Sequence, residues 1–153
     1  MTLTIERATP ADAEAMVRVQ VAAFHDDARL YPGVALGGPP GYDSVPTLLL
    51  KIDQDECYKL IYEGQIVGGV VVYDYGEGHF HLDVIFVDPA YHGCGFGTQA
   101  MLFIERTYPA AKWTLDTPTY ALRNQHFYEK FGYVKVGEAD HGDIRLIAYE
   151  KRL

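Results

Sequence analysis

The alternation of apolar and polar residues predicts the order of strands and helices along the chain. Near the start, "LTIERA" alternates as a strand with one buried face does, and a helix follows with Thr9 as its N-cap and Pro10 in its first turn. Residues 57–87 contain three strand-like runs separated by Glu63-Gly64-Gln65 and Gly76-Glu77-Gly78. The middle of the chain is therefore predicted to be an antiparallel meander.

The second half of the chain alternates helices and strands. A helical pattern from Thr98 to Tyr108 precedes a strand that starts at Lys112, and a further helix ends at Gly132. Two strands around a turn at residues 141–143 close the chain. The order β-α-α-β-β-β-α-β-α-β-β predicts an α+β fold of the three-layer type, with a mixed, mostly antiparallel sheet flanked by helices. The strand, helix, strand passage through residues 81–117 predicts a parallel crossover.

One long stretch, residues 25–44, is predicted to be irregular. It contains four Gly and three Pro between Tyr31 and Gly41, and a short helix follows in "VPTLLLKI". A loop of this length in a compact domain is usually functional or mobile. The first helix is accordingly expected to end near Phe24.

Length, charge and cysteine content narrow the class of protein. With 153 residues, the chain is predicted to form a single domain over residues 1–153. A formal net charge of -8 disfavours nonspecific binding to nucleic acid or to an anionic membrane and mildly favours cationic small molecules. The start of the chain carries charges where a signal peptide is apolar, and two cysteines are too few for a disulfide framework. These features predict a cytoplasmic protein.

The most distinctive stretch is "VDPAYHGCGFGTQAM", which begins at Val87 and places glycines at 93, 95 and 97. Glycines let a ligand approach the backbone, and the N–H groups at the start of the following helix favour an anion. The pattern therefore predicts a phosphate-binding loop. The alternative is a structural turn with Cys94 and Phe96 in the core. A Walker loop is excluded because no Gly-Lys-Ser/Thr follows, and the preceding meander argues against a dinucleotide fold.

The chain resembles the GNAT-type acyl-CoA-dependent N-acetyltransferases over nearly its whole length. The element order, "IFVDP", "HGCGFG" and "RNQHFYEKFGY" carry the resemblance. The loop pattern of this family is Gln/Arg-x-x-Gly-x-Gly/Ala, and His92 stands here at the Gln/Arg position. The resemblance implies a GNAT-like fold, acetyl-CoA as acyl donor and an N-acetyltransferase activity.

The resemblance also implies which residues hold acetyl-CoA. The backbone of residues 85–87 would pair with the pantetheine arm like an added strand, and the glycine loop with Thr98 would surround the pyrophosphate. Asn124 and Tyr128 match the Asn and Tyr of the family on the helix after the fifth strand. The complete set of predicted cofactor-binding residues is Ile85, Phe86, Val87, His92, Gly93, Cys94, Gly95, Phe96, Gly97, Thr98, Asn124 and Tyr128.

The reaction needs a base, because an ammonium group has no lone pair for attack. His79, His81 and Asp83 fall at period two in "HFHLDVIFV", so they are predicted to share a face with Ile85 and Val87. His81 is predicted to be the general base, and Asp83 and His79 are the substitutes. Two alternatives stay open: these residues form the solvated end of a half-buried strand, or they bind a metal ion.

The reaction also needs a group that donates a proton to the departing thiolate. Tyr128 is predicted to do so, since phenol has a pKa of about 10 and a thiol a pKa of about 8.5. The alternative is that Tyr128 is a buried structural tyrosine. Backbone N–H groups near residues 85–87 are expected to stabilise the oxyanion. Cys94 is interpreted as a loop residue and not as a nucleophile, because nothing adjacent would activate it.

The acceptor is the least determined part of the prediction. The resemblance places residues 25–44 beside the acceptor, and Asp26, Asp27, Tyr31 and Tyr42 are suited to bind a cationic or aromatic amine or are solvated loop residues. A small-molecule amine, a peptide N-terminus and a lysine side chain all remain open, as does a homodimer. The rival function is a noncatalytic acyl-CoA-binding or sensing domain on the same fold.

Overall fold

The computed structural model describes residues 2–153 and has the predicted order of elements. The helices are α1 (Ala13–Leu30), α2 (Val45–Gln54), α3 (Phe96–Thr107) and α4 (Leu122–Lys130). The strands are β1 (Thr4–Arg7), β2 (Glu56–Tyr62), β3 (Gln65–Asp74), β4 (His79–Val87), β5 (Lys112–Pro118), β6 (Val134–His141) and β7 (Ile144–Arg152). None of the helices in the described residues is long and apolar enough to cross a membrane.

The seven strands form one mixed sheet with the order β1-β2-β3-β4-β5-β7-β6. Neighbouring strands are antiparallel except β4 and β5, which are parallel and are joined through α3. The predicted fold class and parallel crossover are therefore confirmed. This arrangement places the carboxyl end of β4 beside the start of α3, where ligands commonly bind.

Each face of the sheet is covered by its own pair of helices. On one face, Met16 of α1 and Leu48 of α2 pack against Val71 and other residues of the meander. On the other face, Met101 of α3 and Tyr128 of α4 pack against the central strands. The result is the three-layer arrangement that the alternating pattern predicts, with an apolar core on both sides of the sheet.

The first helix is longer than the sequence pattern predicts. The helix α1 has 18 residues and continues to Leu30, so the expected end near Phe24 is wrong and the irregular stretch is confined to residues 31–44. Its last two turns carry a polar surface, with an ion pair of 2.7 Å between Arg29 and Asp26 three residues apart. Residues 25–30 are therefore part of a rigid element.

A β-bulge interrupts β4 at Asp83. On β3, Val71 is opposite Val84, whereas the next residue, Val72, is opposite Leu82. Asp83 is thus an extra residue with no partner in the register, and an extra residue reverses the alternation of side chains along a strand. Two odd-numbered residues, one before the bulge and one after it, therefore lie on opposite faces of the sheet, and the same holds for two even-numbered residues.

This bulge corrects one sequence prediction. Ile85 and Val87 pack on the face covered by α3, whereas Asp83 is bound by Lys51 of α2 and His81 stacks on Tyr73 of the α1 and α2 face. The prediction that His81 and Asp83 share a face with Ile85 and Val87 is therefore wrong. The strict period of two applies only to an unbroken strand.

The pairing of β4 with β5 stops at the same place. The parallel ladder runs from His79 opposite Lys112 to Leu82 opposite Leu115, and no later residue of β4 pairs with β5 in the described chain. Within the paired part, the buried ring of Trp113 lies 5.5 Å from that of Phe80. Residues 84–87 therefore keep one edge paired with β3 and leave the other edge free.

A glycine on β3 allows this second part of β4 to lie close. A Cβ built on Gly68 would lie 2.4 Å from the carbonyl oxygen of Phe86, a separation that no real side chain adopts. Any other residue at this position would push β4 away from β3. Gly68 therefore fixes the position of the strand end that borders the site.

Candidate active site

A cavity of about 490 Å³ opens at the free edge of β4. It lies between the end of β4, the glycine loop, the start of α3, one side of α4 and the C-terminal half of α1. Its lining residues include most of the predicted cofactor contacts: Ile85, Phe86, Val87, His92, Gly93, Gly95, Phe96, Gly97, Thr98, Asn124 and Tyr128. The fold therefore brings the strand end, the glycine loop and α4, which are far apart in the sequence, together in one concave site.

The glycine loop leaves its backbone open to the cavity. Gly93 and Gly95 have φ angles of +83° and +80°, and a Cβ at either position would meet no atom within 4 Å. Gly95 is the N-cap of α3, so the unpaired N–H groups of the first helical turn begin there. Open space beside a helix N-terminus fits an anionic group such as the pyrophosphate of coenzyme A.

The two residues between the glycines have different roles. The ring of Phe96 is buried, with its centroid 5.0 Å from that of Tyr62 and 5.8 Å from that of Tyr91. Cys94 is exposed and its side chain is not part of the cavity wall. The structural-turn alternative placed both side chains in the core, which is wrong for Cys94, whereas Phe96 does lie in the core.

His92 connects the loop to both β4 and α1. Its Nε2 lies 3.1 Å from the carbonyl oxygen of Val87, and because a carbonyl only accepts, Nε2 carries the hydrogen. Its Nδ1 lies 3.8 Å from a carboxylate oxygen of Asp26. The residue that departs from the family pattern therefore holds the end of β4 to the loop.

Tyr128 is buried at the base of the cavity. It lies on α4 one turn after Asn124, and its ring packs 6.1 Å from Tyr133 and 6.4 Å from Tyr149, measured between ring centroids. Burial alone raises the pKa of Tyr128 above its ordinary value. Its hydroxyl is therefore protonated at neutral pH and is suited to donate a hydrogen bond into the cavity.

The two histidines of β4 lie outside the cavity and share one hydroxyl group. His79 Nε2 and His81 Nδ1 are each 2.7 Å from Oγ1 of Thr114, and His81 Nε2 is 3.9 Å from a carboxylate oxygen of Asp116. Burial lowers the pKa of both imidazoles. Both rings are thus favoured in the neutral form, in which a nitrogen can accept a proton.

Asp83 is occupied by an ion pair. Lys51 Nζ of α2 donates to its carboxylate at 2.7 Å, and both side chains are largely buried. Removing either charge would leave the other uncompensated. In residues 2–153, no group of three or more His, Cys, Asp or Glu side chains is placed to hold a metal ion.

Two residues that the sequence analysis gave as candidate acceptor contacts, Asp27 and Tyr31, line the cavity. On α1, the lining residues recur at helical spacing along one side of the helix, which is the signal that a longer helix prediction would have used. The lining residues that the sequence patterns did not identify are Ala23, Phe24, Leu30, Tyr91, Arg123 and Phe127.

Two Bacillus subtilis proteins are similar to the chain in sequence. The S-(2-succino)cysteine N-acetyltransferase is 26% identical over 163 aligned positions, which cover 98% of this chain and 93% of that protein. The uncharacterized protein YrkN is 38% identical over 73 residues, and the aligned part covers 46% of this chain and 40% of YrkN.

Solved structures share the fold at low sequence identity. The PaiA N-acetyltransferase from Thermoplasma acidophilum, crystallised with coenzyme A, matches with a TM-score of 0.83, 17% identity and full coverage of both chains. An acetyltransferase from Bacillus anthracis, crystallised with acetyl coenzyme A, matches 65% of this chain and 62% of its own, with 20% identity and a TM-score of 0.59.

The chain also matches the model of a protein family. The model of the acetyltransferase (GNAT) family matches residues 21–133, a range that contains the bulged strand, the glycine loop, and both Asn124 and Tyr128. Acetyl-CoA is the cosubstrate that this match and the coenzyme A complexes of the structural neighbours indicate. The chain belongs to the acetyltransferase (GNAT) family.

Proposed function

We propose that the protein transfers an acetyl group from acetyl-CoA to a primary amine of a small molecule or peptide. One observation carries the proposal: the free edge of β4, the glycine loop at the start of α3 and the buried residue Tyr128 line one cavity. When bound, acetyl-CoA supplies a thioester whose carbonyl carbon is the electrophile. The groups of this chain bind, orient and exchange protons around it.

The binding role is divided between backbone groups. The free edge of residues 83–87 offers unpaired backbone groups, which an extended amide-containing arm can pair with as an additional strand does. The N–H groups at the start of α3 bind phosphate oxygens. An N–H group near residues 85–87 donates to the carbonyl oxygen as negative charge develops on it.

His81 takes the proton from the attacking amine, directly or through water. In the tautomer whose Nδ1 donates its hydrogen to Oγ1 of Thr114, Nε2 is the nitrogen that accepts the proton. The lowered pKa keeps His81 neutral and therefore able to act as a base at neutral pH. His79 and Asp83 remain the substitutes, and the ion pair with Lys51 makes Asp83 the less available of the two.

Tyr128 donates a hydrogen bond to the departing sulfur. A phenol with a raised pKa does not readily give up its proton to a thiolate in water. Burial also disfavours a thiolate, and in this protein it raises the pKa of the Cys57 thiol to about 12. A sulfur leaving in the apolar surroundings of Tyr128 is similarly basic, so the two pKa values are brought closer together.

The second candidate is a noncatalytic acyl-CoA-binding or sensing domain. The location of His81 outside the cavity wall favours this candidate, because a general base must come within reach of the amine or of a bridging water. The two candidates are separated by incubating the protein with acetyl-CoA and a panel of amines and measuring thiol release. Release with at least one amine supports the transferase, and binding of acetyl-CoA without release on any amine supports the sensor.

The remaining parts of the proposal concern the whole protein. We propose a single domain over residues 1–153 that acts in the cytoplasm, and we leave open a homodimer. Cell fractionation tests the location, and light scattering on the purified protein tests the oligomeric state.

A further inference from the structure

The cavity has two walls with opposite preferences for charge. The glycine loop and the start of α3 favour an anion. The helix α1 contributes Asp27, which is the only carboxylate among the described residues that line the cavity. A carboxylate repels phosphate groups, so the α1 wall is unsuited to the pyrophosphate of the cofactor and must face another part of the bound molecules.

Two aromatic residues close to Asp27 in the sequence line the same cavity. Phe24 and Tyr31 lie about one turn before and after it and also line the cavity. The ring of Tyr31 lies edge to face against that of Tyr120, with the centroids 5.5 Å apart. A carboxylate beside aromatic rings is the usual arrangement for binding an organic cation, because the rings attract positive charge without a competing anion.

The charge of Asp27 has no partner within the described residues. The nearby cation on α1, Arg29, is bonded to Asp26 at 2.7 Å and 3.2 Å. Burial and the charge of Asp26 raise the pKa of Asp27 to about 6, and His92 opposes this rise. An unpaired carboxylate in this position costs folding free energy at neutral pH, and a cationic ligand would offset that cost.

We propose that Asp27 binds a second, nonreacting cationic group of the acceptor. The acceptor class is then a diamine or polyamine, or an amine that carries another fixed positive charge. The reacting nitrogen loses its proton before attack, while the second nitrogen keeps its proton and pairs with Asp27. This inference rests on the proposed acetyl transfer and adds the chemical class of the acceptor to it.

The test compares linear diamines with monoamines of the same chain length in wild type, Asp27→Asn and Asp53→Asn. Asp53 is exposed on α2, so its substitution changes the net charge equally without touching the cavity. We expect Asp27→Asn to raise the KM for diamines about tenfold or more, with little change for monoamines, and Asp53→Asn to change neither. Equal effects of the two variants on diamines, or equal loss of both substrate types in Asp27→Asn, would overturn the proposal.

Folding of the variant is checked at the same time. The neighbours of Asp27 that bear charge or titrate are Asp26 on α1, His92 in the loop, Tyr31 and Tyr120 beside it, and Arg123 on α4. Because the raised pKa makes ionised Asp27 unfavourable above about 6, Asp27→Asn should melt at a higher temperature than wild type at pH 8, with a smaller difference at pH 5. A fall in melting temperature at pH 8 would contradict the unpaired charge on which the proposal depends.

A binding measurement separates this proposal from the proposed function. If wild type releases no thiol with any amine, acetyl transfer is not the function. Calorimetry of a linear diamine binding to the protein saturated with coenzyme A then decides the role of Asp27. Binding to wild type that is weakened about tenfold in Asp27→Asn supports the cation site, and equal binding or none overturns it.

Discussion

The two parts of β4 on either side of the bulge have different surroundings. Residues 80–82 are paired on both edges, with β3 on one side and β5 on the other. Residues 84–87 are paired with β3 alone, and their free edge borders the cavity. A single strand is thus structural framework over its first part and a binding edge over its second.

The difference shows how a small irregularity produces a site. One extra residue, Asp83, ends the parallel ladder and moves the following side chains to the other face of the sheet. The histidines stay on the α1 and α2 face, while Ile85 and Val87 lie on the α3 side. If the second part of β4 is the reactive one, substitutions that act on it should affect function more than changes at the histidines.

The largest effect is expected from Gly68→Val, which acts directly on the second part of β4. The side chain would collide with the Phe86 carbonyl, so the variant should lose about 3 kcal/mol of stability and bind coenzyme A poorly. Gly137→Val is the control, because a Cβ there meets no atom within 4 Å and its stability should change by less than about 0.5 kcal/mol. Equal midpoints of denaturant unfolding for the two variants would contradict the close approach.

The next largest effect is expected from Tyr128→Phe. Loss of one oxygen from a packed ring should leave the fold and acetyl-CoA binding unchanged, while kcat falls roughly 100-fold because the hydrogen bond to sulfur is lost. Steady-state thiol release and calorimetry measure the two quantities. Full activity of Tyr128→Phe would show that the hydroxyl has only a structural role.

A smaller effect is expected from Gly97→Val in the first turn of α3. Its Cβ would lie 3.4 Å from Cζ of Phe127, an ordinary contact, but the branched methyl groups would occupy space in the cavity. We expect the affinity for coenzyme A to fall about tenfold, which is about 1.4 kcal/mol. An unchanged thermal upshift by coenzyme A would exclude this part of the loop from the binding site.

The smallest effect is expected for His81 in the first part of β4. It is a shift in the midpoint of the pH profile of kcat/KM. With an aliphatic amine, whose own pKa lies far higher, kcat/KM should rise with a midpoint below the ordinary histidine value of about 6.5, since burial lowers the pKa of His81. His81→Gln should remove this limb. The free energy of unfolding should also rise with pH. The neutral ring of His81 is favoured above about pH 6.5, and stability falls as the pH drops through the lowered pKa.

An unchanged profile in His81→Gln would move the role of base to His79, Asp83 or bound water. If that variant instead lost more activity than Tyr128→Phe, the comparison between the two parts of β4 would be reversed. The reactive group would then lie on the framework part.

Much of the fold was predictable from the sequence because its signals are local. The turns at Gly64 and at Gly142 separate clear apolar runs, and Gly95 ends the loop where α3 begins. The resemblance to the family predicted that Asn124 and Tyr128 bind the same cofactor as the glycine loop, and both residues line the same cavity as the loop. Their catalytic and binding roles stay predictions.

The bulge and the end of α1 were not predictable in the same way. Asp83 continues the period-two series of His79 and His81, and the four apolar residues after it fit either face of the sheet, so nothing in the sequence marks the position of the extra residue. At the end of α1, the polar run from His25 to Asp27 conceals the helical spacing of the residues that face the cavity. Both features depend on contacts with distant elements, which the local pattern does not contain.

The paired part of β4 also contains a natural optical probe. Trp113 is the only tryptophan of the chain, it is fully buried against Phe80, and its indole N–H has no hydrogen-bond partner among the described residues. Such an indole fluoresces at short wavelength, and its emission shifts to longer wavelength when water reaches it. Trp113 lies two positions before Leu115, where the ladder between β4 and β5 ends. Its emission therefore reports whether the separation of the two strands extends as far as Trp113, without any attached label.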